Sequence, residues 1–595
     1  MFPERLRPLV PYLKRHRLGL FLGGLCVLFN NGIWILFPQV IRRAINGLNA
    51  GVTRQKLVTY SLLIVAIALT KGLFQFLTRY VVIGISRDIE FDLRNDLFSH
   101  LESLSYSYYQ RNRTGDIMAR ATNDLNAVRQ LLGPAIMYSA NTLVFTAGAL
   151  AFMLAISPKL TLIAFLPLPV ASIVIQYFGR RIHERFERIQ AMFSDISARA
   201  QENFSGARVI RAYVQEQSEI AAFEAANHEY IRRSLGLVRL MGMLWPTLEL
   251  MLGIAVVVVL WYGGRQVLQG RMNLGDFVAF NTYMVQLTWP VIALGWVINI
   301  FQRGTASLIR INEILLTKPE IADQPASIRD VDAQDLNNQN LADRIPALTG
   351  AIEFRNLNFA YNGAPVLHDI SLQIPAGSSL AIVGPTGSGK TTLVGLIPRI
   401  FDADPGAVLI DGRPIRDFAL ESLRRNIGFV PQEAFLFSDT VRENIAFGRP
   451  QASDTEIKAA AEAANIAADI ESFPDSYNTM VGERGITLSG GQKQRTAIAR
   501  AILRSPRILV LDDALSSVDT HTEDKILNHL RDLMRGRTTI FISHRVSTVR
   551  NADRIAVLHQ GRIVELGTHD QLITQNGYYT ELYNKQLLEE ELAEV

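Results

Sequence analysis

Between residues 384 and 391 the chain reads G-P-T-G-S-G-K-T, directly after the apolar stretch Ser379–Val383. A strand, a glycine loop and a helix opening near Thr391 form the setting in which backbone N–H groups curl around phosphate oxygens. Gly384, Pro385, Thr386, Gly387, Ser388, Gly389, Lys390, Thr391 and the adjoining Thr392 are therefore candidate nucleotide-binding residues. Lys390 is expected to reach the β- and γ-phosphates of ATP, and Thr391 to ligate Mg²⁺. The matching acidic run is R-I-L-V-L-D-D at 507–513. Its apolar part, 508–511, reads as a strand that delivers Asp512 to the Mg²⁺ side. Asp513 follows where a base would orient the attacking water.

A second glycine turn, T-L-S-G-G-Q-K-Q-R at 487–495, precedes a helix. Ser489, the amides of Gly490 and Gly491, and the neighbouring Gln492 suit phosphate, yet one nucleotide needs one phosphate loop. This turn is expected to close on a nucleotide held by another subunit.

These residues need a scaffold. From about 348 short β-rich runs alternate with helical ones, an α/β pattern. Residues 318–347, with Pro319, Pro325 and many Asp, Asn and Gln residues, read as a linker. The first half differs. Six stretches, roughly 18–40, 57–86, 131–156, 159–178, 243–264 and 276–302, qualify as the ~20 largely apolar residues of a spanning helix. The expected organisation is an all-α transmembrane domain of six long helices over 1–317, the linker 318–347, and an α/β P-loop ATPase domain over 348–595.

Arg5, Arg7, Lys14, Arg15 and Arg17 before the first span, and basic residues throughout 87–130 and 179–242, place both termini and both long connections in the cytoplasm. Arg42, Arg43, Arg54 and Lys56 in the first outer loop dissent. The long inner connections are helical and would project tens of ångströms past the bilayer. Their segments 111–124 and 205–213 are candidates for touching the motor. Within the spans Lys71, Glu249, Asn30, Asn31, Gln75 and Gln286 suit either a wet translocation cavity or hydrogen bonding between helices.

Composition narrows the field. Across 595 residues the net charge is +4, which lends nucleic-acid binding no support. The single cysteine, Cys26, excludes an internal disulfide. The first apolar stretch follows basic residues without a small-residue cleavage site, and reads as a retained helix rather than a cleaved signal.

Order and spacing of these motifs resemble an ATP-binding cassette (ABC) exporter half-transporter of the bacterial multidrug or lipid type, with domain-swapped membrane helices. The resemblance implies an ATPase in the bacterial inner membrane that moves hydrophobic or amphiphilic compounds. It assigns Tyr361 to adenine stacking, Gln432 to Mg²⁺ sensing, His544 to the γ-phosphate, V-G-E-R-G at 481–485 to coupling, and S-S-V-D at 516–519 to the dimer interface. T-G-D-I at 114–117 and G-A-R-V-I-R-A-Y at 206–213 resemble the two coupling regions. The implied catalytic set is Asp513, His544, Gln432 and Lys390, and the implied metal set is Thr391, Gln432 and Asp512.

One residue departs from the family pattern, which has glutamate after the metal-binding aspartate. Asp513 retracts the carboxylate by roughly 1.5 Å, and a positioning error near 1 Å costs on the order of 10²-fold. This site is expected to be slow. The chain then resembles the aspartate-bearing half of a heterodimer, favoured over a homodimer with two slow sites. A homodimeric lipid flippase and an ATP-gated channel-like module stay open as alternatives.

Overall fold

The computed structural model describes residues 4–49, 51, 53–323, 348–482, 485, 488–514, 526 and 536–593. The chain forms two compact units, one of residues 1–101 with 115–316, the other of residues 102–114 with 317–595.

In the first unit, helices α1 (Arg17–Asn49) and α2 (Arg54–Ser103) are followed by α3 (Tyr106–Arg111), which belongs to the second unit. The first unit resumes with the helical run α4 (Thr114–Ile156), α5 (Pro158–Phe165), α6 (Leu168–Ser205), α7 (Ala207–Ala212), α8 (Glu216–Leu268) and α9 (Leu274–Leu316). Five of these, α1, α2, α4, α8 and α9, are long and apolar enough to cross a membrane among the described residues. The fourth predicted span, 159–178, is divided between α5 and α6 by a turn at Leu166 and Pro167. Pro167 and Pro169 have no N–H to donate to the preceding turn, so the helical ladder is interrupted there. At 50 and 53 residues, α2 and α8 are about 75–80 Å long, over twice the ~30 Å of a bilayer's hydrocarbon.

Helices α1, α4 and α9 pack together, and α6 runs along α8. The core includes Ile35, Phe145, Met153, Leu160, Val259 and Tyr283. Tyr283 is fully buried, and its hydroxyl donates to the Ile35 carbonyl at 2.6 Å. Two π-helical turns, Arg120–Asp124 and Leu131–Ala135, interrupt α4. Pro134, which lacks an N–H, lies in the second. The first presents Asp124 to α9, where it accepts from Ser307 Oγ and Arg310 Nε, both at 2.8 Å.

Two of the four dissenting outer-loop charges, Arg42 and Lys56, have local partners. Arg42 is ion-paired with Asp276. Lys56 Nζ donates to the carbonyls of Gly47 and Gly51 at the end of α1, at 3.3 and 3.2 Å. A cation at a helix C-terminus is favourable, so these charges answer to the fold rather than to topology.

The second unit contains two sheets. β1 (Ile352–Tyr361), β2 (Ala364–Ile374), β4 (Val408–Ile410) and β5 (Arg413–Pro414) form an antiparallel sheet in the order β2-β1-β4-β5. The other sheet has the order β10-β9-β3-β8-β7-β6. It is built from β3 (Ser379–Val383), β6 (Ile427–Val430), β7 (Ile508–Asp512), β8 (Thr538–Ile542), β9 (Arg554–His559) and β10 (Arg562–Gly567). Among the described strands of this sheet, only β10 is antiparallel to its neighbour. Strands β7 and β8 are buried at every position, as parallel strands covered on both faces require. β8 lies between β3 and β7, so the loops leaving all three strands emerge side by side at their carboxyl ends. Ligands of open α/β sheets bind there.

Asp411 ties the segment leading into β1 to the turn after β4, accepting from the amides of Thr349, Gly350 and Ala351 at 2.7, 3.0 and 2.8 Å. Burial raises its pKa, but hydrogen bonds from Thr349, Gly350 and Ala351 outweigh this and leave it below the ordinary carboxylate range. Its contribution is therefore complete at neutral pH and lost as pH falls through that depressed value. Asp411→Ala is expected to destabilise the ATPase unit by roughly 1–2 kcal/mol after solvent screening, read as a lowered thermal midpoint at pH 7 that converges with the wild type in acid.

Helix α3 packs within the second unit. Tyr106 meets the Phe401 ring edge-on at 5.9 Å, and Arg111 donates to Glu320 at 3.0 Å and Asn362 at 3.2 Å. The packed segment thus lies just before the T-G-D-I sequence, which opens α4 in the first unit. Arg111, the first residue of the predicted segment 111–124, shares these contacts, whereas the aromatic anchor Tyr106 lies upstream of that segment.

Candidate functional site

A cavity of about 310 Å³ opens at the carboxyl ends of β3, β7 and β8. Thr386, Gly387, Gly389, Lys390, Thr391 and Thr392 line it from the glycine loop and α10 (Lys390–Gly395). Gln432, Asp512, Asp513 and His544 line it from three other loops. The sequence-predicted catalytic set, Lys390, Gln432, Asp513 and His544, therefore converges in one place.

The loop needs its glycines. Gly384, Gly387 and Gly389 have φ of +147°, +80° and +100°, a region that glycine enters without steric cost. A Cβ at Gly384 would lie 2.0 Å from the Leu558 carbonyl oxygen, and one at Gly389 would lie 2.8 Å from Leu367 Cδ2. Ser388 Oγ is buried without a hydrogen-bond partner, which suits a cradle shaped for an acceptor-rich ligand.

Lys390 is 7% exposed and donates to the carbonyls of Gly384 at 2.8 Å and Pro385 at 2.9 Å. Burial lowers its pKa, while Asp513 and Asp512 oppose the shift. Asp512 is 1% exposed and accepts from Thr391 Oγ1 at 3.1 Å. Burial pushes it up to about 6, opposed by Thr391 and Lys390. A buried carboxylate beside a hydroxyl is an oxygen donor set that suits a hard cation, and Mg²⁺ fits it. Asp513 is also buried, and its pKa is raised by burial against the charges of His544, Lys390 and Arg545. Its backbone has φ +49° and its amide donates to the Ile542 carbonyl at 3.1 Å.

Tyr361 reaches the cleft through its hydroxyl, which donates to Thr392 Oγ1 at 3.2 Å. Its ring packs edge-on against Phe401 at 5.0 Å, the residue that also meets Tyr106. Sequence reasoning did not select Phe401, nor the wall residues Val366 and Ile542. An isolated apolar residue has no sequence signal that separates a site wall from a core.

The second glycine turn is built elsewhere. Ser489 caps α11 (Gly490–Leu503), with its Oγ accepting from Gln492 N at 3.3 Å and its own amide donating to Gln492 Oε1 at 3.0 Å. Ser489 and Gly490 are exposed, and none of residues 489–492 lines the cavity around Lys390. In V-G-E-R-G, Val481 is buried and Gly485 has φ +75°, whereas Glu483 and Arg484 lie outside the described residues. The S-S-V-D residues 516–519 also lie outside them.

In the membrane unit a second cavity, of about 680 Å³, gathers Lys71, Asn30, Asn31, Gln75 and Gln286. Glu249 is exposed and does not line it. Asn31 serves the alternative purpose too, donating to Val27 O at 2.8 Å and to Asn141 Oδ1 at 2.7 Å.

A phosphate-type cleft and membrane-length helices in one chain define a membrane-embedded ATPase. Residues 20–291 match the ABC transporter transmembrane region and residues 367–516 match the ABC transporter ATPase family. The chain is 36% identical over 589 residues to a probable multidrug resistance ABC transporter ATP-binding/permease protein, YheI, of Bacillus subtilis, covering 98% of each. It is 36% identical over 595 residues to an ATP-dependent lipid A-core flippase of Syntrophus aciditrophicus, covering all of this chain and 96% of the relative. The multidrug resistance-like protein MdlA of Escherichia coli is 37% identical over 560 residues, covering 93% and 91%. A solved bacterial Atm1-family ABC exporter with ATP bound superposes with a TM-score of 0.77 at 30% identity, covering 96% and 98%. The chain belongs to the ABC transporters, as an exporter with transmembrane and ATPase portions in one polypeptide. It binds ATP with Mg²⁺ as the usual associated ion, couples hydrolysis to transport, and is a multi-pass protein of the bacterial inner membrane.

Proposed function

We propose that this chain exports hydrophobic or amphiphilic compounds by alternating access as half of a dimer, and that the partner is a second, different half-transporter. The observation that carries the dimer is the separation of the two glycine turns: the Ser489–Gln492 cap, exposed at Ser489 and Gly490, contributes nothing to the chain's own phosphate cleft. Two apolar faces support it further. Phe204, Val209, Tyr213 and Val214 are exposed around α7, and Phe435, Phe437, Phe447 and Met480 are exposed on the ATPase unit. Exposed apolar clusters of this kind mark protein interaction surfaces.

At the cleft, Lys390 exchanges the Gly384 and Pro385 carbonyls for phosphate oxygens. Thr391, Gln432 and Asp512 would hold Mg²⁺, which when bound neutralises charge on the phosphates. Asp513 orients the attacking water and His544 contacts the γ-phosphate, an electrostatic arrangement whose inner charges, Lys390, Asp512 and Asp513, are buried. Tyr361 stacks on the base, supported by Phe401. An aromatic pair contributes ≈ 0.5–1.5 kcal/mol, so Phe401→Leu is expected to raise the KM for ATP about two- to tenfold with kcat little changed. Steady-state phosphate release measures it.

The heterodimer rests on Asp513. The likeness to a lipid A-core flippase favours the alternative cargo, a lipid, which in the second reading a homodimer of this chain moves. Inside-out vesicles containing the full-length chain, alone and with a glutamate-bearing partner, test both readings. ATP-dependent movement of labelled lipid but not of an amphiphilic dye by the chain alone establishes the flippase. Dye uptake only with the partner establishes the heterodimeric exporter. Nucleotide-independent ion current overturns both in favour of a channel.

A further inference from the structure

Lys71, Gln75, Thr78 and Arg79 lie on one face of α2, at helical spacing, and all four line the 680 Å³ membrane cavity. The opposing walls are aromatic, from Trp34, Trp289 and Trp296 among others. Two features of this cavity are not explained by helix packing.

The first is charge. Lys71 and Arg79 are cations in a wall without a carboxylate. The helical segments around the cavity, 17–49, 57–86, 131–156 and 276–302, contain a single acidic residue, Asp276. That residue is already ion-paired with Arg42. Lys71 Nζ sits over the Trp34 ring, 3.9 Å from its centroid, a contact that substitutes in part for a missing anion. Cations at membrane depth are costly and are ordinarily paired. The second is unused hydrogen-bonding capacity: Asn30 Oδ1, Thr78 Oγ1 and Gln286 Oε1 are buried without partners.

We infer that this cavity selects amphiphiles with an anionic head group, a phosphate, sulfonate or carboxylate, which lies between Lys71 and Arg79 while its apolar body packs on the tryptophans. Asn30 and Gln286 accept from hydroxyl or amide N–H groups next to the head. The inference rests on the export reading above and adds the sign of the cargo's charge, with Lys71 and Arg79 as specificity-determining residues. A cationic amphiphile would bring a third positive charge into a wall with none to oppose it.

The test uses two fluorescent naphthalene amphiphiles with the same alkyl chain, one ending in sulfonate and the other in trimethylammonium. Binding to the purified full-length protein in detergent without nucleotide is followed by tryptophan quenching. The sulfonate is expected to bind at least about tenfold more tightly than the ammonium probe, the scale of one charge-assisted hydrogen bond. Lys71→Gln and Arg79→Gln are each expected to weaken the sulfonate about tenfold, and Lys71→Arg to preserve it. Ammonium binding that is retained or tightened in each variant, as the repulsion from one cation is removed, reports an intact cavity. Displacement of the sulfonate by phosphatidylglycerol, but not by phosphatidylcholine, assigns the natural head group to a lipid phosphate; lack of displacement assigns it to a free organic anion. Equal binding of the two probes, or sulfonate binding indifferent to loss of both cations, overturns the inference. ATP-driven uptake of the probes into inside-out vesicles, with Lys390→Ala as control, reports on export separately. Uptake of both probes regardless of sign overturns the charge selection and leaves export standing. Sign-selective binding without ATP-driven uptake does the reverse.

Discussion

Lys390→Met is expected to lower ATP hydrolysis by the full-length protein by roughly 10²–10³-fold, the scale of removing one preorganised electrostatic contact from a transition state. Methionine keeps the apolar stem and removes the charge, so the cleft stays filled. The wild-type ammonium is held by the carbonyls of Gly384 and Pro385 and is buried beside Asp512 and Asp513. It is the one lysine or arginine among the described residues lining this cleft. Phosphate release in proteoliposomes measures the loss, and an unchanged thermal midpoint separates it from misfolding. Hydrolysis retained above about a tenth of the wild-type rate, far outside the expected 10²-fold range, would remove Lys390 from the proposed role.

Asp513→Glu is expected to act in the opposite direction, raising hydrolysis by the chain alone toward 10²-fold. Extending the carboxylate by one methylene reverses the retraction of roughly 1.5 Å, and a positioning error near 1 Å already costs on the order of 10²-fold. The backbone opposes the change. Asp513 has φ +49°, a conformation tolerated better by aspartate and asparagine than by longer residues, with a penalty of about 1–2 kcal/mol. A 10²-fold gain corresponds to ~2.8 kcal/mol of barrier, whereas the backbone strain is borne by ground and transition state alike and is read as a lowered thermal midpoint. Asp513→Asn keeps the short side chain and removes the negative charge, and is expected to abolish what hydrolysis the wild type has. Rapid hydrolysis by the wild-type chain alone, unchanged by Asp513→Glu, would overturn the slow-site reading and with it the argument for a different partner.

Much of the chemistry was legible from residue order because the phosphate loop is nearly self-contained. Its glycines, Lys390 and Thr391 are local in sequence, and the strand before them is set by an apolar run. The ladder β3–β8 could not be read this way, since it joins residues 160 apart. It nevertheless brings Asp512, Asp513 and His544 beside the loop. Phe401 was invisible for the same reason: its importance lies in touching both Tyr361 and Tyr106, and contact order is not written into an isolated phenylalanine. The fourth span shows the limit from the other side. Its apolar count over 159–178 qualifies, yet Pro167 and Pro169 break the backbone ladder that a hydropathy count does not see.

Residue types and spacing were sufficient to determine an ATPase carried on a membrane-spanning chain, because phosphate binding and the crossing of hydrocarbon both impose local and inflexible demands. Tertiary structure decided what the polar residues of the membrane half do. Along the chain, Lys71, Gln75 and Gln286 are three isolated costs, and Glu249 looks like a fourth. Folding places the first three around one cavity with Arg79 and leaves Glu249 outside it. A charge in a helix acquires its function from what faces it across the bundle, and only packing supplies that neighbour.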